Sequence, residues 1–232
     1  MGRGSGLTVV YPVRPGERNE SLRYSLRSLD CHMPGVRVIV AGHKPSWVTG
    51  VEHVHVPQPR RSWSNVVRIL RVVCSAPVTP RRFVLLNDDF FALSPVEGVP
   101  LVHCGPLGRL GEWSGWSGGW YGEALANTRI LLARSGCEDP LAYDRVHQPL
   151  PVVRDVLGQV LGGVGGFPVL HRSLYGNTVG GGVWGEDVKI RGRRESVPGG
   201  GWVSTAPGSW SGVAGRQIRD LFGSRCRFEV GA

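Results

Sequence analysis

The first ninety residues alternate short β-branched apolar runs with helix-period segments, and this alternation leaves few folds open. "LTVVYPV" (7–13) is an apolar run ended by Pro and Gly, which reads as a buried strand. Asn19 can cap a helix over "ESLRYSLRSL", with Leu22, Leu26 and Leu29 on one face and Arg23 and Arg27 on another. "VRVIVAG" (36–42) is a second strand closed by Gly42, and "VEHVHVPQ" (51–58) a shorter third. Ser62 or Ser64 caps a helix carrying Trp63, Val66, Val67, Leu70 and Val73 at spacings of three and four, which must stop before Pro77. "RFVLLN" is the fourth strand. Such alternation predicts an α/β fold: an open, mostly parallel sheet flanked by helices, with ligands outside the C-terminal strand ends.

The fourth strand ends in Asn87, Asp88 and Asp89, followed by Phe90 and Phe91. Two adjacent carboxylates repel, and apolar neighbours raise both the repulsion and the desolvation cost. A bound cation removes both problems, so Asp88 and Asp89 are candidate cation ligands.

The second half has a different character. "GPLGRLGEWSGWSGGWYGEALANT" (105–128) is rich in Gly and Trp and shows neither period. Residues 105–122 read as a mobile loop in which Trp113, Trp116 and Trp120 either form a stacking wall for a sugar or base or simply pin the loop. "ALANTRILLARSG" and "VVRDVLGQVLGG" are helix candidates, while "GNTVGGGVWGED" and "VPGGGW" read as glycine loops. With no repeat and no clean linker, residues 1–232 read as one domain with two halves, 7–104 and 105–232.

The net charge of +9 and pI near 9.9 favour a polyanionic partner, although the basic residues form pairs rather than a run. Of the 27 cationic residues, only Lys44 and Lys189 are lysines. Five widely spaced cysteines without C-x-x-C read as free thiols in a reducing compartment, with no disulfide frame or zinc site. The chain shows neither a leader pattern nor a run of about 18 apolar residues, so a cytoplasmic protein without a membrane span is expected.

Taken in order, "VVYPVRPG", "LRYSLRSL", "VRVIVAGHKPSWV", "FVLLNDDFF", "YDRVHQPLP" and "HRSLYGNTVGGGVWGEDVK" resemble the conserved blocks of the Stealth proteins. These are capsular-polysaccharide phosphotransferases related to the lysosomal N-acetylglucosamine-1-phosphotransferase. The match touches most of residues 7–190 and departs from the family where Pro15 precedes Gly16 and where Gln148 separates His147 from Pro149. The resemblance implies a GT-A-like fold and a metal-bound UDP- or GDP-sugar donor. It implies that Asp88 and Asp89 hold the metal and that His147, Arg172 and Asp187 are catalytic. Arg14, Arg23, Arg27 and Asn87, with Trp113 and Trp116, are the expected donor-binding residues. Transfer of a sugar or a sugar-1-phosphate to a glycan, protein or modified DNA base is then expected. The alternative is a non-catalytic nucleic-acid- or glycan-binding protein on a degenerate transferase scaffold.

Overall fold

The computed structural model describes residues 6–58, 64–112 and 119–231. Its main sheet is built from β1 (Thr8–Val13), β2 (Arg37–Gly42), β3 (Glu52–His55), β4 (Arg82–Leu85) and β7 (Leu150–Val153), in the order β3-β2-β1-β4-β7. The first four strands run parallel, and β7 closes one edge antiparallel to β4. Two helices supply the crossovers. In α1 (Glu20–His32) the Asn19 side chain accepts the Leu22 N–H at 3.3 Å, the expected cap, and Leu22, Leu26 and Leu29 are fully buried. In α2 (Ser64–Ser75), Val67, Ile69, Leu70 and Val73 pack into the core on one side of the sheet, while Trp63 lies outside the described residues.

A second, three-stranded sheet draws mostly on the second half of the chain. It orders β5 (Phe90–Ala92), β10 (Trp202–Thr205) and β9 (Lys189–Ile190), with β10 antiparallel to β5 and parallel to β9. β6 (Val102–His103) and β8 (Val183–Trp184) form a separate parallel ribbon. The helices here are α3 (Gly119–Arg134), α4 (Arg154–Gly162), α5 (His171–Val179), the single turn α6 (Pro207–Trp210) and α7 (Val213–Leu221).

Several expectations for this half need correction. Residues 107–112 are a 3₁₀ helix and α3 begins at Gly119, so the segment read as one loop over 105–122 is partly regular. α3 buries Ala124, Leu125, Thr128 and Leu132, and that packing carries helix back through glycines that weaken the local signal. Val152 and Val153, expected at the start of a helix, instead end β7. As an edge strand it tolerates Pro151, opposite Val84. α5 buries Arg172, Ser173, Leu174, Tyr175 and Gly176 in succession, so it has no polar face for periodicity to reveal. Gly176 is required there: a Cβ would lie 2.5 Å from the Tyr143 ring.

The C-terminal segment straps the loop between β2 and β3. Thr49 N donates to Phe228 O and Val230 N to Trp47 O, each at 2.9 Å. No described helix is long and apolar enough to cross a membrane.

Candidate active site

The C-terminal end of β4 delivers Asn87, Asp88 and Asp89 to the edge between the two sheets, and their side chains diverge. Asn19 Nδ2 donates to Asp88 Oδ2 at 3.0 Å. Asp89 Oδ2 instead receives Lys189 Nζ from β9 and Ser204 Oγ from β10, both at 2.9 Å. The parallel register that aligns Lys189 with Ser204 brings both donors to one oxygen. Burial and the neighbouring Asp89 charge push the Asp88 carboxyl above its ordinary range, against the pull of Asn19 and Arg14. Arg14 is exposed on the loop after β1.

The second group comes from the loop before β7 and the segment between β8 and β9. His147 is the non-glycine residue with positive φ among those described, at 43°, a backbone that costs roughly 1 kcal/mol or more and must be held. Its Nδ1 lies 2.7 Å from Arg145 O and 2.8 Å from Asp187 Oδ1. Both neighbours are acceptors, so Nδ1 carries a proton, and Nε2 is the ring nitrogen left to exchange one with a ligand. Asp187 also accepts Lys189 N–H at 3.0 Å and pairs with Arg191 Nη2 at 2.7 Å. Burial works to raise the Asp187 carboxyl, but His147, the Lys189 amide and Arg191 together outweigh it and hold the carboxyl below its usual range.

Arg172, on the first turn of α5, is 5% exposed. Nη1 donates to Gln148 O at 2.6 Å, Nη2 makes a long 3.5 Å contact with Asn87 Oδ1, and the guanidinium lies over the Phe90 ring at 5.5 Å. No described carboxylate lies within ion-pair distance of it, and Asp144 and Asp89 act on it only from farther away. Burial lowers the Arg172 pKa below its ordinary value. Burial also takes the adjacent His171 down to about 4, helped by Arg172 and opposed by Asp144. Asp144 itself accepts the Ser173 N–H at 2.7 Å, satisfying an amide in the first turn of α5.

One short segment joins the groups. Asp187 holds His147 and, two residues on, Lys189 holds Asp89, while Arg172 reaches Asn87. The structure therefore brings together Asn87, Asp89, His147, Arg172 and Asp187, with Asp88 beside Asp89. Arg27 is placed elsewhere: Nε and Nη2 form a bidentate pair with Glu229 at 2.6 and 3.0 Å, and Nη1 donates to Phe222 O and Gly223 O. Its donors are turned to the C-terminal strap and away from a phosphate. Arg23 lies over the Trp47 ring at 4.5 Å and 3.6 Å from Glu229, on that same side. Trp113 and Trp116 lie outside the described residues. Trp120, at the start of α3, is exposed and packs edge-on against Tyr121. Ser204 and Glu229 carry no signal in the sequence, and Lys189 closes the last resembling block, "HRSLYGNTVGGGVWGEDVK", without a role attached to it.

Two aspartates are enough for a divalent cation that keeps phosphate oxygens and water as its other ligands. Asp89 has a second oxygen free of side-chain hydrogen bonds among the described residues, and Asp88 carries a charge that burial and Asp89 both disfavour. The pair fits such a cation. No described group of three or more His, Cys, Asp or Glu side chains could hold one without help from a ligand.

No protein-family model matches the chain, and no curated protein matches it in sequence. Among solved structures it is similar to the galactosyltransferase LgtC in complex with donor and acceptor sugar analogs. The TM-score is 0.50 at 11% identity, over 94% of this chain and 96% of that one. An active-site mutant of LgtC aligns with a TM-score of 0.44 at 12% identity, over 96% and 85% of the two chains. The central sheet, its flanking helices and the likeness to the LgtC complex together give the chain a GT-A-type fold.

Proposed function

We propose that this chain is a nucleotide-sugar-dependent transferase whose donor diphosphate lies between Asp88–Asp89 and Arg172 and whose acceptor hydroxyl meets His147. The observation that carries the reading is the segment Asp187–Lys189, which ties the His147 dyad to the aspartate end of β4 through direct hydrogen bonds. A buried guanidinium held only by neutral oxygens is a standing site for an anion. A histidine whose Nδ1 proton is fixed by a carboxylate is a general base at Nε2. Their adjacency suits a reaction in which a hydroxyl loses a proton while a diphosphate gains charge.

Asp88 and Asp89 would hold Mg²⁺ or Mn²⁺, which when bound offsets charge on the departing nucleotide. Arg172 and Asn87 bind and orient the diphosphate. His147 takes the acceptor proton, and Asp187 fixes the imidazole tautomer and stabilises the imidazolium that forms. Asp187 is thus a positioning residue in this reading. The donor is a UDP- or GDP-sugar and the acceptor a hydroxyl of a glycan, protein or modified DNA base. The Stealth resemblance favours sugar-1-phosphate transfer, in which that hydroxyl attacks the β-phosphate.

The test is mass spectrometry after incubation with a panel of UDP- and GDP-sugars, Mn²⁺ and candidate acceptors. Nucleoside monophosphate release marks sugar-phosphate transfer, and diphosphate release marks glycosyl transfer. His147→Ala should lower either by roughly 10²-fold or more while sparing donor affinity. Release of neither nucleotide from any donor would leave the binding-protein alternative standing.

A further inference from the structure

Arginine supplies nearly every cation of this chain, yet the residue bonded to Asp89 is one of its two lysines. Arginine offers a planar fork and lysine a compact point charge on a flexible stem. A point charge on a single carboxylate oxygen resembles a metal ion more closely than a guanidinium does. Lys189 Nζ sits 2.9 Å from Asp89 Oδ2, with the two side chains 20% and 19% exposed, so solvent only partly screens the pair. Its backbone is fixed by β9 pairing and by the hydrogen bond its N–H donates to Asp187 Oδ1, while its side chain has four carbons of reach.

We infer that Lys189 is a built-in stand-in cation: it holds the Asp89 carboxylate in the absence of metal and turns to the donor phosphates once metal binds. The inference rests on the aspartate pair as a metal site, as proposed above. A divalent cation and an ammonium compete for the same carboxylate charge and repel each other when both are held there. Lys189 must then move, and the nearest negative charge offered to it is the diphosphate. Such an arrangement keeps Asp89 partnered in the free protein and leaves Asp88, which lacks an equivalent cation, as the first point of metal attachment. It also couples metal to donor, since the lysine reaches phosphate only after metal releases it.

The prediction has two halves of opposite sign. Lys189→Met should bind Mn²⁺ alone more tightly than the wild type, by about fivefold or more, the lower end of typical coupling between two ligands. The same variant should be stabilised less by inorganic pyrophosphate with Mn²⁺. Free Mn²⁺ is read by its electron paramagnetic resonance signal and pyrophosphate by thermal shift, so neither measurement needs turnover. Asp89→Asn should abolish the gain in the Lys189→Met background. Ser204→Ala removes a hydrogen bond from the same oxygen without removing charge, and should change Mn²⁺ affinity little. If Lys189→Met folds poorly, Lys189→Gln repeats the test with a polar side chain. Unchanged or weaker Mn²⁺ binding by a folded Lys189 variant would make the lysine a structural strut and overturn the inference, leaving the transferase reading intact. Absence of Mn²⁺ binding by both wild type and variant would remove the metal reading and this inference together.

Discussion

Among the described residues two arginines are buried, and their surroundings are opposite. Arg27, 9% exposed, meets Glu229 in a bidentate pair and gives its remaining donors to two carbonyls of the C-terminal strap. Arg172, 5% exposed, meets a carbonyl and, at longer range, an amide oxygen, with no described carboxylate in ion-pair reach. Desolvating a guanidinium costs several kcal/mol. At Arg27 the cost is offset inside the fold, where the pair fastens the last residues to α1. At Arg172 it stays open, which suits a side chain that will receive an anion. Charge and burial alone do not separate a strut from a site; the counter-charge does.

The largest expected effect lies at the strut. Arg27→Met would leave the buried Glu229 without its bidentate partner, with only the Cys226 N–H and the more distant Arg23 beside it. Breaking such a pair from one side costs about 3–5 kcal/mol. Urea unfolding should show that loss in the variant, while any folded fraction retains donor binding, because Arg27 points away from the aspartates. A stability loss below about 1 kcal/mol, the worth of an exposed ion pair, would show that the two arginines are less different than their neighbours suggest.

The sequence separates them poorly, and the reason is physical. Periodicity places Arg27 off the Leu22–Leu26–Leu29 face of α1, so it reads as exposed and available to phosphate. What covers that face is a strap more than 190 residues away in the chain, whose Glu229 carries no local signal of its destination. The β-α-β order of the first half was legible because each element there has its own period, and β1, α1, β2, β3, α2 and β4 all form where that period puts them. In the second half β7 is a four-residue edge strand that runs directly into α4, and α5 is buried on several sides and so carries Arg172 on a helix that has no polar face. The resemblance, not the periodicity, picked out His147, Arg172 and Asp187. Nothing local could say that Asp187 would meet His147, or that Lys189 would meet Asp89.

The site arginine should respond in the reverse sense. Arg172→Met removes a desolvated charge that has no internal partner, so stability should hold or rise. Transfer should fall by about 10²–10³, the scale for a lost donor to developing negative charge. Pyrophosphate should stabilise the wild type in a thermal shift and the variant much less. A variant as destabilised as Arg27→Met would mean that Gln148 O and Asn87 hold a structural arginine, and the contrast would collapse.

Acid gives the smallest and most selective separation. Burial tends to raise the Glu229 carboxyl, but its bonds and attraction to Arg27, the Cys226 amide and Arg23 outweigh burial and hold it below the ordinary range. A carboxylate depressed in the folded state adds stability that is fully present above its unfolded pKa of about 4.3. That stability is lost as pH falls through the lower folded value. Wild type should therefore exceed Glu229→Gln by its full margin near pH 7. The margin should begin to shrink below about pH 4.3, as protons bind the unfolded chain first. Arg172 has no carboxylate in contact, so the difference between wild type and Arg172→Met should stay comparatively flat over the same range. Urea unfolding at a series of pH values reads both differences. A wild-type margin over Glu229→Gln that survives undiminished into strong acid would show that the strap is held by its backbone bonds to Trp47 and Thr49 rather than by the buried pair.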